Sequence, residues 1–237
     1  MTIYGTPSIV TNGLVLHLDA ANQRSYPTSG TTWSDLSGNG NNGTLVNGVG
    51  YNSGNLGSLV FDGTNDYVGV PNTNLKPTSG ITQECWLKVA TQVQVFIGLQ
   101  YGAGSNNSYA LWWGEGGTNT WNGGVNIGGI FYVLSATITW PNNSTWFHFV
   151  HTYDGSTQKL YYNGNLIASE NRSGTIAYDN SNTVTTIGCD FNGSGYNTGI
   201  VVPTNGNIPI AKIYNRALSI EEIQQNYNAL KNRFGLL

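Results

Sequence analysis

Charge is what this 237-residue sequence has least of: 9 Lys and Arg with 12 Asp and Glu, or 9% of the chain, for a formal net charge of −3. A protein that holds a phosphate backbone needs a basic face, so nucleic acid is excluded as a partner. Long apolar runs are missing too. No stretch approaches the roughly 20 apolar residues of a membrane-spanning helix, so membrane insertion is not expected. Residues Met1 to Pro7 carry neither the basic nor the apolar region of a secretory signal. The expected setting is the cytoplasm, or a particle assembled there and released by lysis. Cysteine is scarce: Cys85 and Cys189, far apart, read as two buried thiols and not as a disulfide framework.

The familiar catalytic constellations are absent as well. Glycosidic hydrolysis needs two carboxylates facing one bond. The glutamates are Glu84, Glu115, Glu170, Glu221 and Glu222, and none has a second carboxylate two residues along a strand; Asp62 and Asp66 flank a turn. His148 and His151 stand three apart in a strand pattern, so they point to opposite faces and share no metal; His17 lies far away in the chain. There is no Gly-X-Ser-X-Gly elbow. Gly38–Gly43 spells the dinucleotide fingerprint, yet it leads into Thr44-Leu45-Val46 where a helix would be needed. No enzyme is expected.

What the chain does have is glycine (32), tyrosine (14), tryptophan (7) and many asparagines, with 39% hydrophobic residues for a core. That balance suits many short strands joined by tight turns. Leu14, Leu16 and Leu18 alternate. Two strand patterns flank a turn at Asp62-Gly63. In Ile81–Val89, Ile81, Cys85, Leu87 and Val89 share one face, while Thr82, Glu84, Trp86 and Lys88 share the other. Val93–Leu99, Trp146–Tyr153 and Thr183–Gly188 read as further strands, and Leu160–Ala168 as a hairpin whose Asn163-Gly164 suits a type I′ turn. After a last strand at Ile208–Tyr214 comes the one helix. Ser219 and Glu222 form a capping box, Leu218 and Ile223 a hydrophobic staple, and Ile220, Ile223, Tyr227 and Leu230 an apolar stripe. Lys231 and Arg233 fall where cations favour a helix end, before Gly235. Such a stripe must lie on a sheet. With no repeat and no linker, residues 1–237 read as one all-β domain, a sandwich of two antiparallel sheets with one short C-terminal helix.

Two features could hold a ligand. Between Tyr101 and Trp140 aromatics crowd among glycines and amides, and Trp112, Trp113, Trp121 and Tyr132 lie near Asn119, Asn122 and Asn126. Sugar rings stack their C–H faces on such side chains while amides take the hydroxyls. Trp112 and Trp113 are neighbours and face opposite ways in a strand, so one of them belongs to the core or to an interface. The second feature is a pair of half calcium loops: Asp35, Ser37 and Asn39 before Gly40, and Asp190, Asn192 and Ser194 before Gly195. Both lack the distal glutamate, with Val46 and Val201 in its place. Calcium is the one cofactor this leaves open; the competing reading is Asp and Asn capping their own turns.

Taken in order, several segments resemble one family: Gly13–Asp19, Trp33–Thr44 (WSDLSGNGNNGT), Leu59–Val68, Tyr153-Asp154-Gly155, Leu160–Gly164 and Ile213–Ile223. The set is similar to the laminin-G-like branch of the concanavalin A-like lectin/glucanase superfamily and covers nearly the whole chain. The resemblance implies a jelly-roll sandwich. It implies no particular ligand, because the fold hosts lectins, glycosidases, adhesion modules and structural domains. Many relatives hold one calcium at a sandwich rim, with ligands that vary. Leu18–Asn22, Arg24–Pro27 and Asn228–Gly235 look like the stand-alone copies among tailed-phage structural proteins. This implies a non-enzymatic, lectin-like virion surface protein serving as a decoration, fibre or receptor-binding component, attaching weakly to glycans and made effective by many copies. The alternative is a free-standing carbohydrate-binding module. The implied partners are other virion proteins and host surface polysaccharide, with a homo-oligomer left open.

Overall fold

The structure, a computed structural model, describes residues 7–90, 94–99, 108–114, 119–139, 145–178, 184–191 and 200–236. The first third of the chain supplies β1 (Leu14–Asp19), β2 (Thr32–Trp33), β3 (Gly43–Val46), β4 (Gly50–Asn52), β5 (Ser58–Asp62) and β6 (Tyr67–Pro71). Longer strands follow: β7 (Ile81–Val89), β8 (Gln94–Leu99), β9 (Tyr109–Trp113), β10 (Thr120–Ile127), β11 (Ile130–Thr137) and β12 (Phe147–Tyr153). The last third holds β13 (Thr157–Tyr162), β14 (Asn165–Asn171), β15 (Val184–Ile187), β16 (Asp190–Phe191), β17 (Ile200–Val201), β18 (Asn205–Tyr214) and the helix α1 (Ile220–Leu230).

Two antiparallel sheets face each other. One runs β14-β13-β12-β7-β18-β5-β4, with β1 beside β5 along the same edge of β18; the other runs β11-β10-β9-β8-β15-β6-β3-β2. The ribbon β16-β17 stands apart. This is the expected jelly-roll sandwich with a short C-terminal helix. The Asn163-Gly164 turn has φ of 49° and 77°, the two positive angles of a type I′ turn. The Asp62-Gly63 turn behaves differently: β5 pairs within the first sheet and β6 within the second, so this turn carries the chain across the sandwich. The core between the sheets takes the alternating residues Leu16, Leu18, Ile81, Cys85 and Leu87, with Phe147 and Phe149, against Val68, Phe96, Trp113 and Trp121. Each fully buried aliphatic or aromatic side chain contributes about 1.5–3 kcal/mol. Cys85 and Cys189 are buried free thiols.

The helix covers the outer face of the first sheet. Its capping box is complete: Ser219 Oγ accepts from Glu222 N, and Glu222 Oε2 accepts from Ser219 N at 2.9 Å. Leu218 and Ile223, the staple pair, pack with Val150, Tyr161 and Tyr214. A 3-10 turn, Lys231–Phe234, ends at Gly235 in the left-handed region (φ 70°). Arg233 does more than favour a helix end. It donates to Asp19 Oδ1 (2.8 Å) and to the carbonyls of Asn55 and Gly57, tying the C-terminus to the β1 and β4–β5 loops. The lid makes β7 buried on both faces, Thr82, Glu84 and Trp86 included. Among the described residues no helix is long and apolar enough to cross a membrane.

Candidate functional site

Strands β9, β10 and β11 sort the aromatic block by face. Trp113 is opposite Trp121 across the strands; both point inward, fully buried, with rings stacked 5.1 Å apart. Trp121 also meets Phe147 and Phe149 of the other sheet edge-on. Neither tryptophan can stack on a sugar, because both fill the space between the sheets. Tyr132 shares the inward face through its pairing with Val125, at the open edge of the sandwich, with the Arg172 guanidinium 4.8 Å over its ring. Asn126 is buried and accepts from Gly129 N at 2.8 Å, which makes it a cap for the β10–β11 turn. Asn119 is half-buried at the start of β10, its carbonyl accepting from Ile138 N.

Trp112 alone of the three proposed tryptophans reaches the outer face. It is 7% exposed and stacks on Phe131, a half-buried ring not among the ligand candidates read from the sequence. Phe131 lies flat on β10 because residue 124 is glycine: a Cβ there would come 2.6 Å from the ring. On the opposite side of the same strand, a Cβ at Gly123 would meet His151 at 2.5 Å. The glycine pair is thus a strand with an aromatic ring pressed on each face. Beside Phe131, Asn122 Oδ1 accepts from the exposed Ser135 hydroxyl at 2.6 Å. The Asn122 amide is itself buried and donates to Thr120 O at 3.2 Å, so the outer face presents the Phe131 ring and the Ser135 hydroxyl.

The Asp35 loop is built around its carboxylate. Oδ1 accepts from His17 N and Ser37 N at 2.9 Å, and Oδ2 from Ser37 Oγ (2.7 Å) and Asn41 N (3.0 Å). Asn39 Nδ2 donates to Leu14 O and Ser37 Oγ. Donors occupy both carboxylate oxygens, and the Ser37 hydroxyl and the Asn39 amide nitrogen are committed too, the geometry of side chains that cap their own turns. An open cleft of about 400 Å³ borders this loop, lined by His17, Asn22, Arg24, Asp35, Leu36 and Gly38. Asp190 opens β16 and accepts from Phe191 N at 2.7 Å; burial pushes its carboxyl up to about 7. Asn192 and Ser194 of that loop lie outside the described residues, as does Glu115.

Sequence reasoning missed the polar cluster under the helix. Glu84, Lys212 and His148 project from adjacent strands onto the covered face, fully buried. Glu84 Oε1 lies 2.7 Å from Lys212 Nζ and 3.1 Å from His148 Nε2, and Asn226 of α1 donates to Glu84 Oε2 and to Tyr214 Oη. Asn226 Oδ1 accepts from Val10 N, which brings the N-terminal segment into the cluster. Burial alone would raise the Glu84 carboxyl, but the Lys212 and His148 partners hold it well below the usual range. Burial and the nearby Lys212 drive His148 down, against the pull of Glu84 beside it. The alternation in β7 placed Glu84 on this face; nothing local signalled Lys212, 128 residues away. The remaining described glutamates are tied up as well, Glu170 by Arg172, Glu221 by Ser219 and Glu222 by Arg216.

Several solved structures share the architecture. The binding domain of Paraclostridial Mosquitocidal Protein 1 aligns with a TM-score of 0.69 at 18% identity, covering 95% of this chain and 56% of that one. The receptor binding domain of botulinum neurotoxin C/D mosaic serotype gives 0.67 at 17%, covering 92% and 51%. Domain 4 of AbnA, a GH43 extracellular arabinanase from Geobacillus stearothermophilus solved with arabinotriose, gives 0.64 at 18%, covering 90% and 98%. The chain thus spans about half of the toxin binding domains and nearly all of the arabinanase domain. At these identities the likeness speaks for the fold. No curated protein sequence matches the chain. A laminin G family of the concanavalin A-like lectin/glucanases superfamily matches residues 62–224, from the end of β5 into α1, and the chain belongs to that superfamily.

Proposed function

We propose that this chain is a non-catalytic, lectin-like domain that binds glycans by shallow contact on the outer face of β9–β11. The observation that carries the reading is Phe131, held against Gly124 and backed by Trp112, with the exposed Ser135 hydroxyl on the same face. A ring with a hydroxyl on the same face matches a sugar's apolar face and its hydroxyls. Superfamily membership supports it, as do the structural neighbours: domain 4 of AbnA was solved with arabinotriose, and a botulinum neurotoxin DC binding domain with SialylT. The structural commitments of Glu84, Glu170, Glu221 and Glu222 speak for binding without hydrolysis. One such contact is weak, so the domain works as one of many copies, as on a virion surface among other virion proteins, attaching to host polysaccharide. A free-standing module would instead be monomeric.

The test is a glycan panel that includes arabinan and bacterial surface polysaccharides, read with calcium and with chelator. Phe131→Ala is expected to weaken binding about tenfold or more while unfolding behaviour stays close to that of the parent. Binding should persist in chelator. Loss with chelator would transfer the site to a metal at the Asp190 loop, and unchanged affinity in Phe131→Ala would remove the aromatic platform from the account.

A further inference from the structure

The cleft beside β1 is a different site with different chemistry. The chain has four arginines. Three carry a carboxylate: Arg172 on Glu170, Arg216 on Glu222 and Arg233 on Asp19. Arg24 is the fourth. It is exposed, lines the cleft, and its guanidinium has no hydrogen-bond or ion-pair partner among the described residues. In a chain this poor in charge, an unpaired guanidinium on a cleft wall is a recognition group in waiting.

Its neighbours, Asp35 apart, are donors or neutral. Asn22, which also lines the cleft, spends its side-chain oxygen on Arg24 N at 3.0 Å, so the side-chain group it has to offer is a donor, its NH₂. His17 is fixed by its backbone, whose N–H donates to Asp35 Oδ1 and whose carbonyl accepts from Leu36 N. Its ring, held neutral by burial and by Lys212 nearby, carries a single N–H. Asp35 is the only acid among the described residues that line the cleft, and four donors, one from β1 and three from its own loop, already occupy its oxygens. The nearby Asp19 is paired with Arg233. The wall thus offers a forked cation, an amide donor and a neutral ring.

We propose that this cleft binds an oxyanion, the carboxylate or phosphate group of an acidic polysaccharide, with Arg24 as the primary contact and Asn22 and His17 as orienting donors. The proposal stands apart from the aromatic platform and holds whether or not Phe131 binds sugar. Its test uses the full chain against sodium polygalacturonate, sodium polyphosphate and neutral dextran, with affinity measured by calorimetry. At least one polyanion should bind and dextran should not. That binding should weaken several-fold between about 50 and about 500 mM salt, as an exposed charge contact does. Arg24→Gln should lose about tenfold in affinity with unchanged thermal unfolding, while Phe131→Ala keeps polyanion binding intact. Binding of polygalacturonate alone assigns the site to carboxylates, and of polyphosphate alone to phosphates. Absence of binding to both polyanions, equal binding of dextran, or an Arg24→Gln variant that binds like the parent overturns the proposal.

Discussion

His151 sits in the core between two amides, its Nδ1 3.0 Å from Gln83 Nε2 and its Nε2 3.1 Å from Gln158 Oε1. A neutral ring protonated on Nε2 satisfies both. Complete burial holds the pKa down at about 4 against the pull of the Gln158 bond, and a second proton on Nδ1 would face an amide N–H. The unfolded ring titrates near 6.5, so as pH falls the unfolded chain takes up the proton first. The stabilisation is present above pH 6.5 and is lost as pH drops toward 4. His17, also held at about 4 by burial and Lys212, acts in the same sense. Unfolding free energy from denaturant curves should fall by roughly 2–3 kcal/mol per histidine between pH 7 and pH 4.5. His151→Gln should remove its share of that slope; a profile equally steep in the variant would mean other groups set it. Glu84 obeys the same linkage with a carboxylate's sign: its contribution is full above the usual carboxylate range and fades as pH falls below it. Glu84→Gln leaves the Lys212 ammonium buried without its counter-charge and should cost about 3–5 kcal/mol. Adding Lys212→Met should restore most of the loss, and failure of that rescue would show that the pair matters through more than charge.

At the scale of elements, β10 shows why glycine spacing misleads. Gly123-Gly124 reads along the chain as loop texture, and in the fold it is the middle of an eight-residue strand. Glycine is required because His151 from the facing sheet and Phe131 from the neighbouring strand lie against its two faces. Gly124→Ala should displace Phe131, cost about 1–3 kcal/mol by overpacking, and weaken glycan binding as Phe131→Ala does. If Gly124→Ala destabilises the protein yet leaves glycan affinity unchanged, the platform is structural. The helix start, by contrast, was readable in full. Ser219, Glu222, Leu218 and Ile223 interact within one turn of chain, so local spacing determines their contacts. Ser219→Ala should cost about 1 kcal/mol in chemical denaturation.

At the scale of the molecule, the C-terminal segment is part of the core's covering. Trp86 stacks between Tyr227 and Phe234, Asn226 closes the Glu84–Lys212 pair, and Arg233 binds the β1 and β4–β5 loops. Truncation before Ser219 should expose Trp86, Val150 and Tyr214 together and open the ion pair to water. The expected result is an aggregating product without a cooperative transition, checked by light scattering and tryptophan fluorescence. A truncated chain that stays monomeric and unfolds cooperatively would show that the sandwich stands without its lid.

The sequence by itself determined whatever depends on near neighbours: the alternation of the strands, the type I′ turn at Asn163-Gly164, the capping box, and from their order the all-β sandwich. A pleated strand, however, has two faces, and periodicity cannot say what will cover each of them. Tertiary structure decided that Trp113 and Trp121 fill the core while Trp112 and Phe131 lie outside, because the facing sheet lies over one side alone. It decided that Asp35 is saturated by donors, and that Glu84 and Lys212, 128 residues apart, neutralise each other under the helix. Burial and pairing at such separations are properties of the packed chain, and they turned Trp113 and Trp121 into core residues while leaving Arg24 open on its cleft.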